Sequence, residues 1–138
     1  MQNQTSLTFN KSMDDLVLVI QDCLTPDLLK PTYRKENTTN PMYGHCYVAS
    51  ETAFYFIWTM MFGDKYINYR PYQNKDSSGI SHWWLQNDSK EILDITAAQY
   101  TSKGLTPPYA NGVYRSFLTK LPSNRAQIVI DRVIDKIK

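Results

Sequence analysis

Residues 46–62 read CYVASETAFYFIWTMMF and follow directly on Gly44 and His45. The stretch has no glycine or proline, and its apolar residues cover nearly every side of a helix. A helix that is apolar on all sides is buried in a protein core. The sequence therefore predicts a buried central helix that begins at Cys46 and is stopped by Gly63.

Cys46 occupies the first turn of this predicted helix. Unpaired backbone N–H groups and the positive end of the helix dipole stabilise a thiolate there. Gly44 permits a sharp turn and a close approach to a ligand just before the helix. Downstream, His82 and Asp94 fall on two successive predicted strands. These three residue types are a thiol nucleophile, its base and the residue that orients the base, whereas Cys46 without them would read as a small core residue.

The two strands form a predicted antiparallel hairpin. Residues 80–86 and 91–96 are strand-like runs joined by the turn composition Asn-Asp-Ser-Lys. A symmetric register around this turn pairs Trp83 with Asp94 and leaves His82 one position away. A one-residue shift or a bulge would bring the histidine and the aspartate together, and the sequence leaves this step open.

Each candidate also has another interpretation. His82 is as compatible with a structural histidine as with a base. His45 is adjacent to Cys46 on a helix start and is expected to point elsewhere, contributing a backbone N–H or a substrate contact. Asp94 inside a strand needs a partner because an unpaired buried charge is costly, and an imidazole N–H fits. The predicted substrate-binding residues, which share a place beside the thiol or along a cleft, are Gly44, His45, Trp83 and Trp84.

The order GHCxxAS, then HWW on a strand, then LDxTxxQ, resembles small YunG-like proteins of bacteria and phages over roughly residues 44–100. It is more distantly similar to papain-like and transglutaminase-like thiol enzymes. The resemblance implies a helix, opened by the nucleophile, that packs on an antiparallel sheet supplying the base and its orienter. The matching positions are Cys46, His82 and Asp94. The wider papain signature is not found, and the candidate oxyanion donors are Asn40, Tyr43 and the backbone N–H of Cys46.

The flanking segments complete the predicted domain. Ser12 opens a first helix over residues 13–24, whose apolar face includes Cys23 as a buried core residue. Ser123 caps a final amphipathic helix that is expected to face the core rather than a partner. The remaining predictions are a helical turn at 27–30, an irregular arm at 32–40, a loose strand at 65–72, and a short helical turn capped by Thr96.

Composition sets the broad class of protein. The chain of 138 residues fits one domain, and its 42% hydrophobic and 20% charged residues are ordinary globular values. A net charge of +2 does not predict a nucleic-acid groove or an anionic membrane surface as partner. The 10 tyrosines and 3 tryptophans are unusually many for this length, and we expect some of them to line a cleft.

The sequence also bears on compartment and cofactors. Residues 1–11 are polar and lack the apolar stretch of a signal peptide, and no run approaches the roughly 20 residues of a membrane span. We therefore expect a cytoplasmic location, the host cytoplasm if the protein is phage-encoded, where Cys23 and Cys46 are free thiols. Two cysteines and two histidines without CxxC spacing are too few for a structural zinc site, so neither a metal nor a cofactor is expected.

Together these observations predict an α+β single domain over residues 1–138, with the helix of Cys46 packed on a small antiparallel sheet as in a papain-like or transglutaminase-like core. The predicted function is a thiol-dependent hydrolase or acyltransferase that acts on an amide, isopeptide or thioester bond of a peptide, protein or small amide. One alternative is a non-catalytic phage or bacterial accessory protein that binds a host protein through its aromatic surface. Another is an enzyme that uses His45 as base. The oligomeric state stays open.

Overall fold

Residues 9–138, which the computed structural model describes, form an α+β domain in which helices pack on an antiparallel sheet. The helices are α1 (Met13–Asp22), α2 (Pro31–Asn37), α3 (Cys46–Met60), α4 (Ala98–Thr101) and α5 (Asn124–Ile137), with 3₁₀ turns at Pro26–Leu28 and Asp64–Tyr66. The strands are β1 (Arg70–Lys75), β2 (Ser81–Gln86), β3 (Ile92–Leu93) and β4 (Val113–Tyr114), in the spatial order β3-β2-β1-β4. The prediction about residues 1–11 falls mostly on residues 1–8, which lie outside this description.

The predicted central helix is confirmed. Helix α3 packs on β2 on one side and on α1 and α5 on others, so it is covered around most of its circumference. Ala53 and Ile57 have no exposed surface, and Cys23 is buried beneath the end of α1 as predicted. The other fully buried apolar side chains around α3 come from α1, β2 and α5 and include Leu16, Ile20, Leu85, Val129, Ile130 and Val133. This core fixes the first turn of α3 against β2.

Both predicted serine caps are present. The Ser12 hydroxyl accepts a hydrogen bond from the Asp15 N–H at 3.1 Å, and the Ser123 hydroxyl accepts one from the Ala126 N–H at 3.2 Å. Each satisfies an N–H group that has no partner inside its own helix. The buried face of α5 confirms that this helix faces the core.

Four local predictions are wrong. Helix α3 does not run to Gly63, because Met61 takes the left-handed backbone position with φ of 58° and ends the helix at Met60. The arm predicted to be irregular contains α2, which Pro31 starts because its fixed φ suits a first helical turn. The strand predicted at 65–72 begins only at Arg70, after a 3₁₀ turn. Ala97, not Thr96, precedes α4.

The hairpin between β2 and β3 has the shifted register that the sequence left open. Leu85 pairs with Leu93, whereas the symmetric register would pair it with Ile92. The shift arises because the loop has five residues instead of four. The Asn87 side chain accepts hydrogen bonds from the backbone N–H of Ser89 at 3.1 Å and of Glu91 at 2.8 Å, and holds this longer loop.

This shift decides on which side of the sheet the aspartate lies. Sliding a strand by one residue moves all of its side chains to the opposite face. Continued by one residue, the observed register sets Asp94 opposite Trp84 and on the same face as His82. In the symmetric register Asp94 would have faced away from His82. The five-residue loop therefore makes contact between the two side chains possible.

Candidate active site

Cys46 is the first residue of α3, and the chain reaches it through a glycine turn. Gly44 has a φ of 86°, and a Cβ added there would lie 2.9 Å from a methyl group of Leu29. Both the backbone angle and the close approach favour glycine. The first backbone hydrogen bond that closes the helix runs from Ala49 N–H to His45 O at 2.9 Å. The N–H of Cys46 comes before that bond, as expected for the start of a helix.

The thiol of Cys46 faces β2. Its Sγ lies 3.7 Å from the carbonyl oxygen of Ser81, to which it donates. Ser81 directly precedes His82, so α3 presents its sulfur at the point of the strand that carries the imidazole. The side chain of Cys46 is 8% exposed and borders a pocket, which leaves the sulfur accessible from one side.

His82 lies fully buried between two aromatic rings. Trp84 stacks on it with ring centroids 5.8 Å apart, and Tyr100 meets it edge-on at 4.9 Å. Its Nε2 donates to Oδ2 of Asp94 at 2.7 Å. Its Nδ1 is buried and has no hydrogen-bond partner within residues 9–138. Because Nε2 is bound to the carboxylate, Nδ1 is the ring nitrogen that remains available for an interaction with the Cys46 thiol.

Asp94 and Cys46 both affect the pKa of His82. Burial lowers its pKa, but the hydrogen bond to Asp94 and the Cys46 side chain outweigh burial and raise the pKa to about 9. Cys46 is thus among the groups that raise the pKa of His82, although no hydrogen bond joins its thiol to Nδ1. A positively charged imidazole beside a thiol is the condition that stabilises a thiolate.

Asp94 is held on both carboxylate oxygens. Oδ2 accepts from His82 and also from the hydroxyl of Tyr109 at 2.8 Å. Oδ1 accepts from the backbone N–H of Thr96 at 3.1 Å. Asp94 follows β3 instead of lying inside a strand as predicted, because the chain turns immediately after Leu93. Thr96 thus binds the carboxylate of Asp94, with its hydroxyl 3.5 Å from Oδ1, and does not cap α4.

Two tyrosines of this site were not predicted. Tyr109 binds Asp94, and Tyr100 donates to Oδ2 of Asp76 at 2.8 Å while its ring edge contacts His82. Burial, together with the neighbouring carboxylates, raises the pKa of both phenols, so both stay protonated donors at neutral pH. The high tyrosine count was the only sequence signal, and it did not indicate which rings would be used.

A pocket of about 160 Å³ opens beside the sulfur. Its lining is aromatic and polar without a charged group, and consists of Tyr33, Tyr43, Gly44, Cys46, Tyr47, Ile80, Ser81, Trp83 and Gln99. Two predicted substrate-binding residues, Gly44 and Trp83, lie in this lining. Trp83 is fixed there by an edge-on contact with Tyr47 at 4.9 Å.

The other two predicted substrate-binding residues are placed differently. Trp84 has no exposed surface, because alternate residues of β2 face opposite sides and its side is covered by Tyr109. It stacks on the ring of His82 and does not line the pocket. His45 is 1% exposed and its Nε2 has no hydrogen-bond partner within residues 9–138. Its backbone N–H is bonded to Met42 O at 3.3 Å, so neither expected contribution of His45 is available.

Buried asparagines fix the loop that leads to Cys46. Asn37 donates through Nδ2 to the carbonyl oxygens of Pro41 at 2.9 Å and Tyr43 at 3.0 Å. Asn40 donates through Nδ2 to the carbonyl of Gln99 at 2.9 Å. Asn40 was a candidate oxyanion donor, but it is 2% exposed and is not among the residues that line the pocket. Of the candidates, Tyr43 and the Cys46 backbone N–H remain at the pocket.

Comparisons of the chain with protein-family models, with curated proteins and with solved structures gave no match. The resemblance to YunG-like proteins therefore stays a prediction. Over the described part of the chain, no helix is long and apolar enough to cross a membrane. Within residues 9–138 there is also no group of three or more His, Cys, Asp or Glu side chains placed to hold a metal ion.

The two histidines predict a stability maximum near pH 6.5. Burial lowers the pKa of His45 from 6.5 to about 4, so the unfolded chain binds more protons between these values and folding weakens as the pH falls through them. The pKa of His82 is raised to about 9, so its stabilising effect is complete below 6.5 and is lost as the pH rises to 9. Urea unfolding at half-unit pH steps should show losses of roughly 2–3 kcal/mol on the acid side.

The variant His45→Asn should flatten the acid side of this profile, since it removes the group that gains a proton on unfolding. A free energy of unfolding that rises steadily from pH 4 to pH 9 would contradict the assignment of both histidines.

Proposed function

We propose that the protein is a thiol-dependent hydrolase or acyltransferase that acts on an amide, isopeptide or thioester carbonyl. The observation that supports this most strongly is the position of His82. One of its ring nitrogens binds Asp94 at 2.7 Å, and the other is unpaired while the Cys46 side chain raises the pKa of the ring. A nucleophile, a base and an orienter in that relation are recognised by geometry rather than by sequence position.

The proposed reaction has two halves. Transfer of the Cys46 thiol proton to His82 Nδ1 gives a thiolate beside a positively charged imidazole, and the thiolate sulfur attacks the carbonyl carbon to form a C–S bond. The backbone N–H of Cys46 at the start of α3 helps to bind the oxyanion. The C–N or C–S bond to the leaving group then breaks, and the leaving group takes the proton from His82. Water, or another nucleophile, attacks the thioester and regenerates the thiol.

We further propose that the fold is of the papain-like or transglutaminase-like kind. In support, the helix that carries the nucleophile at its N-terminus packs on an antiparallel sheet, in which β2 supplies the base and the residue directly after β3 supplies the orienter. The sheet here has four strands, two of them only two residues long. The substrate is expected to be a peptide, a protein or a small amide, because the pocket lining carries no charged group.

Selective reactivity of Cys46 tests this proposal. At neutral pH iodoacetamide should modify Cys46 at least about 100-fold faster than Cys23 in the native protein. Burial raises the pKa of the Cys23 thiol, which is 2% exposed. Mass spectrometry of the single-cysteine variants Cys23→Ser and Cys46→Ser measures the two rates separately. Equal and slow modification of both thiols would count against a catalytic site.

A second candidate function is binding of a protein partner, and an apolar groove favours it. The groove has a volume of about 240 Å³ and is lined mainly by α3 and residues 117–122. Trp58 and Leu121 in its lining are 48% and 77% exposed, which is unusual for large apolar side chains. The Cys46 labelling experiment also separates the two functions, since a binding protein needs no reactive thiol.

A further inference from the structure

The apolar groove adjoins the pocket of Cys46 through one phenylalanine. Phe117 is part of the groove lining, and its ring also packs on two rings that line the pocket. Its ring centroid lies 5.5 Å from that of Tyr47, edge-on, and 6.0 Å from that of Trp83, stacked. Each of these three side chains is partly exposed. The pocket and the groove therefore share an aromatic boundary, which consists of Tyr47, Trp83 and Phe117.

Helix α3 contributes to both surfaces along a single face. Tyr47 lines the pocket, whereas Phe54 and Trp58 line the groove. Two and three helical turns bring residues about 7 and 11 positions apart onto the same side of a helix, which is the spacing of these three residues. At 1.5 Å per residue, Trp58 lies about 18 Å along the helix axis from Cys46. The groove thus extends from the pocket toward the C-terminal end of α3.

The other wall of the groove is a loop that is fixed to the same helix at two points. The Leu118 N–H donates to the hydroxyl of Tyr47 at 2.8 Å. The carboxylate of Glu51 accepts the Ser123 N–H at 3.0 Å and the Ser123 hydroxyl at 2.6 Å. Between these two points the groove residue Leu121 is 77% exposed. The loop therefore presents an apolar side chain in a fixed position, and clustered exposed apolar groups mark binding surfaces.

We propose that the groove binds a stretch of the substrate itself, so that the substrate is a polypeptide and not a small amide. This inference rests on the proposed function and deepens it, because it names the substrate class. The occupant is an extended peptide segment that leaves the pocket over the aromatic boundary. It places a large apolar side chain between α3 and the loop that carries Leu121.

The length of the groove sets where that apolar side chain lies in the substrate. An extended chain advances about 3.3 Å per residue. Phe54 and Trp58 lie about 12 Å and 18 Å from Cys46 along α3, so the side chain belongs about four or five residues from the reacting carbonyl. Burial of a leucine there should raise the second-order rate constant of acylation about tenfold. A small amide cannot reach the groove while its carbonyl is at the thiol.

Two series of thioester probes test this position. In the first, an acetylated Gly/Ser octapeptide is the acyl group of a benzyl thioester. In the second, an acetyl group is carried on the thiol of a 3-mercaptopropanoyl Gly/Ser octapeptide, which is the leaving group. Each series moves one leucine through every position of the octapeptide. Single-turnover acylation of Cys46, followed by intact-protein mass spectrometry, should be about tenfold faster than with the leucine-free peptide when leucine is at the fourth or fifth residue of one series.

Variants of the groove show whether this maximum depends on it. Leu121→Ser and Trp58→Gln should remove the maximum and leave the rate of the leucine-free probe unchanged, because neither residue lines the pocket. Leu18→Ser is the matched control, since Leu18 is exposed on α1 and does not line the groove, and it should keep the maximum. Thermal unfolding of each variant shows that rate changes do not come from loss of the fold.

The outcomes separate this inference from the proposed function. If Cys46 is acylated but the rate does not depend on the position of leucine, or depends on it equally in the groove variants, the groove does not bind substrate and the inference is overturned. Light scattering that shows a dimer, dissociated by Leu121→Ser, would assign the groove to a second copy of the chain and also overturn it. If no probe of either series acylates Cys46, the thiol chemistry fails and this inference fails with it.

Discussion

Replacing Asp94 by asparagine will lower the rate at which an activated ester acylates Cys46 by roughly 10²- to 10⁴-fold. The reason lies in what surrounds each oxygen of the carboxylate. Oδ1 receives the backbone N–H of Thr96, which can only donate. Oδ2 receives the Tyr109 hydroxyl and His82 Nε2, and both of these can accept as well as donate. The amide NH₂ of the variant is therefore expected to face His82.

That orientation changes the tautomer of the His82 imidazole. With an N–H pointing at it, Nε2 becomes the acceptor, and the ring proton moves to Nδ1. A ring with its proton on Nδ1 cannot take the proton of the Cys46 thiol. The positive ring that sits beside the thiol is lost with the carboxylate. Stability should change much less than activity, by about 1–3 kcal/mol, because the variant keeps the shape and most of the hydrogen bonds.

The control for Asp94→Asn is Asp88→Asn, which makes the same change of charge at an exposed position of the β2–β3 loop. Acylation rates and thermal unfolding are measured for both variants and for the wild type. Should Asp94→Asn acylate as fast as the control, Asp94 is structural and the site reduces to a Cys–His pair.

Replacing His82 by glutamine will slow acylation of Cys46 at neutral pH by about 10²-fold or more, since positioned acid–base groups contribute 10² to 10⁴. Glutamine can still donate to Asp94 but cannot accept a proton. It is preferred to alanine because His82 is fully buried against Trp84, and a smaller residue would leave a cavity and an unpaired Asp94. The deficit should shrink in alkaline solution, where hydroxide replaces the missing base.

His45→Gln is the informative comparison, because His45 is the only histidine in the chain besides His82 and directly precedes Cys46. It should slow acylation far less than His82→Gln, as no hydrogen bond links its side chain to the thiol. Equal losses in the two variants would favour His45 as the base. Activity retained in His82→Gln would remove His82 from the proposed mechanism.

The parts of the fold that could be predicted are those that depend on nearby residues. The apolar run of α3, the serine caps of α1 and α5 and the position of Cys46 at a helix start all follow from residues within a few positions of one another. Met61 shows the limit of this reasoning. Glycine is the usual left-handed residue after a helix, but here a methionine adopts that conformation two positions earlier.

The contact between His82 and Asp94 could be predicted as a pairing of residue types but not as geometry. It depends on a loop of five residues instead of four, which the Asn87 side chain holds. Likewise, alternation along β2 places Trp83 and Trp84 on opposite faces, but it does not say which face meets the pocket. That is decided by α3 on one side and by residues 98–112 on the other, which carry Tyr100 on the one-turn helix α4 and Tyr109 in the loop after it. A single helical turn and a loop are too short or too irregular to show a periodicity in the sequence.

The close packing of residues 98–112 against Trp84 has a kinetic consequence. A Cβ added to Gly112 would lie 2.4 Å from the Trp84 ring, and Trp84 in turn covers His82. Solvent cannot reach the proton between His82 and Asp94 from this side without local opening, so its exchange with bulk water reports how often residues 98–112 lift away from the sheet. In the proposed mechanism, a proton that Nδ1 takes from the thiol is then passed to the leaving group and is not lost to bulk water on this side while the segment stays closed.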